Sequence, residues 1–238
     1  MTVPIFAGGA GNLAIKSLEF GTNDYLSMSN ANWGTYDRTQ FSIIGSVYVI
    51  SGSICEVFTR GLTGGALLGL EISVIFNLGG GIVTVQVRNA GNNTTTTGAF
   101  PVSGGISTGT WYAYKIDYDG GQATAADRMI VTVNNSTVSP AGSYSWPTEL
   151  NATTNSTYIG DNPVTADTSN CRIFQPTFIS GSNPSNSSVF NGTDGKIYNT
   201  AAFTGLYSRI GGKLTPEDDD VRPDWTNNGG VVISGDVP

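Results

Sequence analysis

The residues best suited to chemistry lie in the stretch GTWYAYKIDYDGGQATAADRMIVTVNN, residues 109–135, which holds Asp117, Asp119 and Asp127. Asp117 and Asp119 are spaced i, i+2, which on a strand puts both side chains on one face of a sheet. Two carboxyls about 5–5.5 Å apart flanking a glycosidic bond are the machinery of retaining glycoside hydrolysis. One of them must then act as an acid, with a pKa raised through apolar burial. The neighbours here are Gly120 and Lys115, which argue against such burial. As a metal loop, Asp119 and Asp127 flank a turn with backbone carbonyls nearby, the hard oxygen ligands that Ca²⁺ takes. No D-x-D-x-D-G spacing accompanies them, and a polar hairpin turn accounts for Asp119-Gly120-Gly121 by itself. The solvated turn is the expectation, with Ca²⁺ at Asp119 and Asp127 the alternative and no other cofactor indicated.

Most other chemistries lack their residues. The 238-residue chain has no histidine, so Ser-His-Asp and Cys-His mechanisms and His-ligated zinc are excluded. Its two cysteines, Cys55 and Cys171, alternate into apolar faces and read as buried thiols. No phosphate-cradling glycine motif occurs. Eleven basic residues against eighteen acidic ones give a net charge of −7, with no basic cluster, so a nucleic-acid partner is not expected. No apolar run approaches the ~20 residues that span a bilayer. The N-terminal MTVPIFAGGAGNLAI lacks the features of a signal peptide, and the expectation is synthesis in a cytoplasm.

Sugar binding would need flat rings beside amides and carboxylates. Tyr144 and Trp146, in the polar loop SPAGSYSWPTELNATTNS, are the candidate platform, and Trp33 in NANWGTY is a further one. Near the C-terminus Glu217, Asp218, Asp219 and Asp220 form an acidic run with Trp225 close behind. Such a run is usually a solvated charge, and its use would be docking to a basic partner.

The elements that must position these residues are short strands. Only 12% of residues are charged and 32 are glycine, and nothing sustains helical periodicity over more than about two turns. Ile72, Val74 and Phe76 alternate before Gly79-Gly80-Gly81, and Val83, Val85 and Val87 alternate after it, the pattern of a hairpin. Tyr112, Tyr114, Ile116 and Tyr118 share one face of a strand, with Trp111, Ala113, Lys115 and Asp117 on the other, and Met129, Val131 and Val133 resume the apolar face. About a dozen such strands predict an all-β, two-sheet antiparallel sandwich over residues 15–213. Residues 1–14 read as an N-terminal arm and residues 214–238 as an acidic extended tail.

The order of elements adds a resemblance. LEFGTNDYLSMSN, FSIIGSVYVIS, EVFTRG, the GTWYAYKIDYDGG…RMIVTVNN hairpin, TYIGD and GKIYNTAAF follow one another as do the strands of laminin-G-like domains. The chain thus resembles the concanavalin A-like lectin/glucanase superfamily over roughly residues 15 to 208. The resemblance implies a jelly roll and fixes no activity. Glucanases of that superfamily carry E-x-D-x-E or E-x-D-x-x-E on one strand, which KIDYD does not match. Laminin-G-like domains recur among bacteriophage structural proteins. A weakly charged Gly/Thr/Asn-rich sandwich with terminal arms suits such an assembly. The expected role is therefore a non-enzymatic virion component, a capsid decoration or fibre protein, that contacts the major capsid protein or another virion protein. By analogy it would be a homotrimer. A lectin gripping host surface polysaccharide is the alternative, and a glycoside hydrolase the weaker one.

Overall fold

Strands that alternate apolar and polar residues bury one face each, and two sheets of them close on a shared core. The computed structural model describes residues 17–33, 36–61, 69–161, 170–190, 226–229 and 232–234. One seven-stranded sheet runs in the order β10 (Ser136–Val138), β9 (Met129–Val133), β8 (Trp111–Asp119), β3 (Gln40–Ser51), β12 (Asn170–Ser180), β1 (Ser17–Phe20) and β14 (Val232–Ser234). We call it the first sheet. The second runs β13 (Thr226–Asn228), β2 (Tyr25–Met28), β11 (Thr157–Gly160), β4 (Ile54–Arg60), β5 (Ile72–Asn77), β6 (Ile82–Arg88) and β7 (Thr95–Pro101). The neighbours in both are antiparallel, and the result is the two-sheet sandwich that the patterning predicts. Among the described residues no helix is long and apolar enough to cross a membrane.

The hairpins keep the expected register. Ile72, Val74 and Phe76 lie opposite Val87, Val85 and Val83, and all six are fully buried. Between them Gly81 adopts a φ of +61° and donates its N–H to the Leu78 carbonyl at 3.1 Å, which closes the turn. Tyr114, Ile116 and Tyr118 of β8 face the same core, opposite Val133, Val131 and Met129 of β9. Gly45 of β3 makes room for the Tyr114 ring, since a Cβ there would lie 2.4 Å from the Tyr114 hydroxyl oxygen. Phe41, Phe178 and Tyr118 stack with centroids 5.1–5.2 Å apart, joining β3, β12 and β8 in one aromatic column. Each such ring contributes about 1.5–3 kcal/mol through burial. Cys55 and Cys171 are both buried free thiols, as their alternation suggested.

Two features depart from the sequence reading. The stretch 214–238 was expected as an extended tail, yet Thr226–Asn228 pairs with β2 and Val232–Ser234 pairs with β1. The open edges of two adjacent strands accept main-chain hydrogen bonds from any extended segment in reach, whatever its side chains. The outer face of the first sheet is also covered in part. Residues 181–190, with the short helix α2 (Asn186–Val189), cross it as a strap, and Val189 and Phe190 bury themselves on Ile44, Ala113 and Ile179. The expected N-terminal arm, the strand GKIYNTAAF, and Glu217, Asp218, Asp219, Asp220 and Trp225 lie outside the described residues.

Candidate functional site

Beside the strap the outer face of the first sheet opens into a groove of about 490 Å³. Its walls bring together the three carboxylates that the sequence singled out, Asp117, Asp119 and Asp127, with Lys115 and Arg128. Alternation along β8 puts Lys115 and Asp117 on this face, because Tyr114, Ile116 and Tyr118 take the core side. The strap supplies Asn183 and Ser185, and the β8–β9 connection supplies Gln122.

At the floor of the groove Lys115 and Asp117 form an ion pair of 2.6 Å, both almost wholly buried. The Lys115 ammonium also donates to the Pro184 carbonyl at 2.5 Å, and the Ser42 hydroxyl donates to Asp117 Oδ1 at 2.6 Å. The Asn183 amide donates to the Tyr118 carbonyl at 3.2 Å. Strap and sheet are therefore joined through a buried polar network. Burial raises the Asp117 carboxyl above its usual range, and the hydrogen bonds from Lys115 and Ser42 offset this only in part. The expectation that Asp117 lacks a burying environment is thus corrected. The strap, nearly seventy residues further along the chain, supplies that burial, and no local pattern in KIDYD reveals it.

Asp119 behaves as the turn residue expected of it. One carboxylate oxygen accepts the Gly121 N–H at 3.0 Å and the other accepts the Gln122 side-chain amide at 2.6 Å. Asp127 sits on a short 3₁₀ turn (Ala125–Arg128) at the exposed rim. Among the described residues no three His, Cys, Asp or Glu side chains are grouped to hold a metal.

The aromatic platform is overturned for Trp146. Its ring is 1% exposed and stacks on Phe100 at a centroid distance of 6.2 Å. The slot exists because Gly98 has no side chain, since a Cβ there would lie 2.5 Å from the Trp146 ring. Tyr144 is half-buried against Trp146, and its hydroxyl accepts the Ala99 N–H at 3.1 Å. Ala141 donates to the Ala99 carbonyl at 2.8 Å. The loop therefore covers the edge of β7 and does not project a binding surface. The signal that was there to read is Gly98, a glycine inside a strand, which marks the close approach of another group. Trp33 ends the short helix α1 (Asn30–Trp33), and the side chain itself lies outside the described residues.

A second buried ion pair went unnoticed in the sequence. Arg60 Nε lies 3.1 Å from the Glu71 carboxylate, and both side chains are sealed from water. The Arg60 guanidinium donates to Thr157 Oγ1 at 2.9 Å and to Asn30 Oδ1 at 2.5 Å. It also lies 5.4 Å from the centre of the Tyr36 ring. Burial pushes the Glu71 carboxyl up to about 9, offset only in part by a backbone hydrogen bond from Thr153, while it draws Arg60 down to about 10. Arg60 and Glu71 end β4 and precede β5, eleven residues apart in sequence, and only the return of the chain brings them together.

Comparison with protein-family models finds no match, and comparison with curated proteins finds none either. Solved structures do match. A heptameric SAP-like pentraxin from Limulus polyphemus superposes with a TM-score of 0.53 at 13% identity, covering 94% of this chain and 97% of the pentraxin. Domains LG4-5 of the mouse laminin alpha1 chain match with a TM-score of 0.47 at 12% identity, over 68% of this chain and 40% of theirs. A Ruminococcus gnavus sialidase CBM40, solved with alpha2,3 sialyllactose, matches with a TM-score of 0.43 at 10% identity, over 68% of this chain and 91% of its own. Strand order, the two antiparallel sheets and the near full-length pentraxin match together show that this chain has the concanavalin A-like jelly-roll fold.

Proposed function

We propose that this chain is a non-catalytic, glycan-binding jelly roll carried on a bacteriophage particle as a capsid decoration or fibre component. The observation that carries the binding reading is the groove. Its volume of about 490 Å³ lies within the range of roughly 300–1,000 Å³ usual for small-ligand sites. Its amides, carboxylates and cations match the mixed donor and acceptor character of sugar hydroxyls. The non-catalytic reading rests on Asp117. Its two oxygens are engaged by Lys115 and Ser42, which commits the carboxyl to the network that joins strap and sheet.

The particle reading rests on composition and on the resemblance. Buried free thiols suit synthesis in a reducing cytoplasm, and a weakly charged sandwich suits close packing beside other copies. Titration of the whole chain against bacterial surface polysaccharides tests binding, and reducing-sugar release in the same mixtures tests catalysis. Binding without release is expected. Release of product removes the non-catalytic reading, and no binding to any polysaccharide removes the lectin. Counting this chain by quantitative mass spectrometry in purified particles tests the particle reading on its own, and absence of the chain removes it.

A further inference from the structure

The charges that line the groove are unevenly committed. Its walls carry two cations, Lys115 and Arg128, and three carboxylates, Asp117, Asp119 and Asp127. Lys115 and Asp117 neutralise each other in their buried pair. Arg128 donates from Nε to the Gln122 carbonyl at 3.0 Å and from Nη1 to the Trp146 carbonyl at 2.7 Å, so two of its three nitrogens are turned to main chain. The other two carboxylates are open. Asp119 accepts one hydrogen bond at each oxygen, and each oxygen of a carboxylate has room for a second. Asp127 is exposed, and among the described residues nothing is hydrogen-bonded or ion-paired to its carboxylate. The groove also has an apolar wall. Ile130 pairs with Asp117 across β9 and β8, which puts it on the same outer face, and it is 42% exposed. Of the two large apolar side chains this exposed among the described residues, Ile130 alone lines the groove.

We infer that the groove selects a sugar with a free amine, a hexosamine that lacks the N-acetyl group, over the N-acetylated and the carboxylated forms of the same sugar. This rests on the glycan reading of the groove and names the class of glycan it takes. The sugar ammonium brings three donors and a positive charge to a wall that offers acceptors and negative charge at Asp127 and Asp119. The C–H face of the ring lies on Ile130, the division between apolar contact and a few orienting polar groups that small-ligand sites use. N-acetylation removes the charge and all but one of the donors. A uronic acid brings a carboxylate against Asp127, and the cation that could answer it, Lys115, is buried and already paired. The net charge of −7 adds a field of the same sign, which draws cationic sugars toward the chain and turns acidic ones away.

The test titrates the full chain calorimetrically with three short oligosaccharides of one linkage: oligoglucosamine, its fully N-acetylated form and an oligoglucuronate. The pH is kept low enough for the sugar amine to hold its proton. Oligoglucosamine is expected to bind at least about tenfold more tightly than the N-acetylated form, the equivalent of one charge-assisted hydrogen bond, and the oligoglucuronate not at all. The gap should narrow as salt is added, because the contact is at an exposed rim. Asp127→Asn should lower the affinity for oligoglucosamine about tenfold and leave that for the N-acetylated form unchanged, while Asp127→Glu keeps the preference. Equal or tighter binding of the N-acetylated or the acidic form overturns the inference and leaves the glycan reading standing. So does binding of none of the three by a chain that binds another polysaccharide. A chain that binds no polysaccharide removes both. A preference for the amine that survives Asp119→Asn and Asp127→Asn combined also overturns the inference, since it then comes from the charge of the whole chain and not from the groove.

Discussion

The loop that carries Tyr144 and Trp146 and the hairpin end that carries Asp117, Asp119 and Asp127 exchange the roles their sequences suggest. The aromatic loop looks like a ligand platform and is an edge cover whose tryptophan belongs to the core. The acidic hairpin end looks like a solvated turn and lines the groove. What separates them is the partner surface each segment meets. Gly98 leaves a ring-sized slot in β7, and the Trp146 ring gains more from filling it than from water. The β8 outer face meets a strap that carries carbonyls and amides, and a lysine and an aspartate are buried there because those groups satisfy them.

The contrast breaks most visibly at Trp146. Replacing it with alanine empties a core slot, and a loss of about 3–5 kcal/mol of stability is expected from the urea midpoint. Glycan affinity of the fraction that remains folded should not change. A stability change below about 1 kcal/mol, together with lost binding, would restore the platform and sink the edge-cover reading.

The Lys115→Met substitution comes next. It removes the cation from Asp117 and from the Pro184 carbonyl, leaving two acceptors poorly satisfied at about 1–3 kcal/mol. Because Asp117 lines the groove and its proton affinity is already raised, protonation limits the damage, so the loss should shrink as pH falls toward 4. A loss that does not vary with pH would show that Asp117 is not reached by solvent protons.

How much of this was legible follows the range of the interactions. The sandwich was readable because alternation is local: Ile72, Val74 and Phe76 declare their buried face within five residues. The three aspartates were readable as a group for the same reason, since β8 and the turn that follows it are continuous in the chain. Their environment was not, because Ser42 and Pro184 arrive from β3 and the strap. Trp146 failed for the mirror reason. A loop without periodicity gives no sign of burial, and the slot it fills is made by an absent side chain forty-eight residues earlier. The pairing of β13 and β14 was unreadable because main-chain pairing asks little of the side chains, and TNN or VIS reads as tail or strand with equal ease.

A sealed acid calibrates the groove acid. Glu71 is fully buried and its carboxyl is pushed from 4.5 to about 9, so within that window the folded chain holds a proton that the unfolded chain has released. Folding stability must then fall as pH rises, with a slope of up to about 1.4 kcal/mol per pH unit. No histidine titrates in this window to obscure it. Denaturant midpoints from pH 5 to 9 should decline for the native chain and stay flatter for Glu71→Gln. Equal slopes for the two would mean that Arg60 keeps Glu71 ionised and that the pair is a conventional ion pair.

The smallest effect on stability discriminates the groove best. Asp127 is exposed at the rim, and its replacement by asparagine should shift stability by no more than about 0.5 kcal/mol. If the groove holds a glycan, the same change removes a charged acceptor from its wall and should weaken binding by about tenfold, the equivalent of one charge-assisted hydrogen bond at about 1.4 kcal/mol. Titration of the native and Asp127→Asn chains with one bound polysaccharide reads this directly. Unchanged affinity in Asp127→Asn, together with unchanged affinity in Asp119→Asn, would move the glycan away from the first sheet. A tenfold loss in the rim variant with full stability would fix ligand contact on the hairpin end and leave the aromatic loop to its work at the edge of β7.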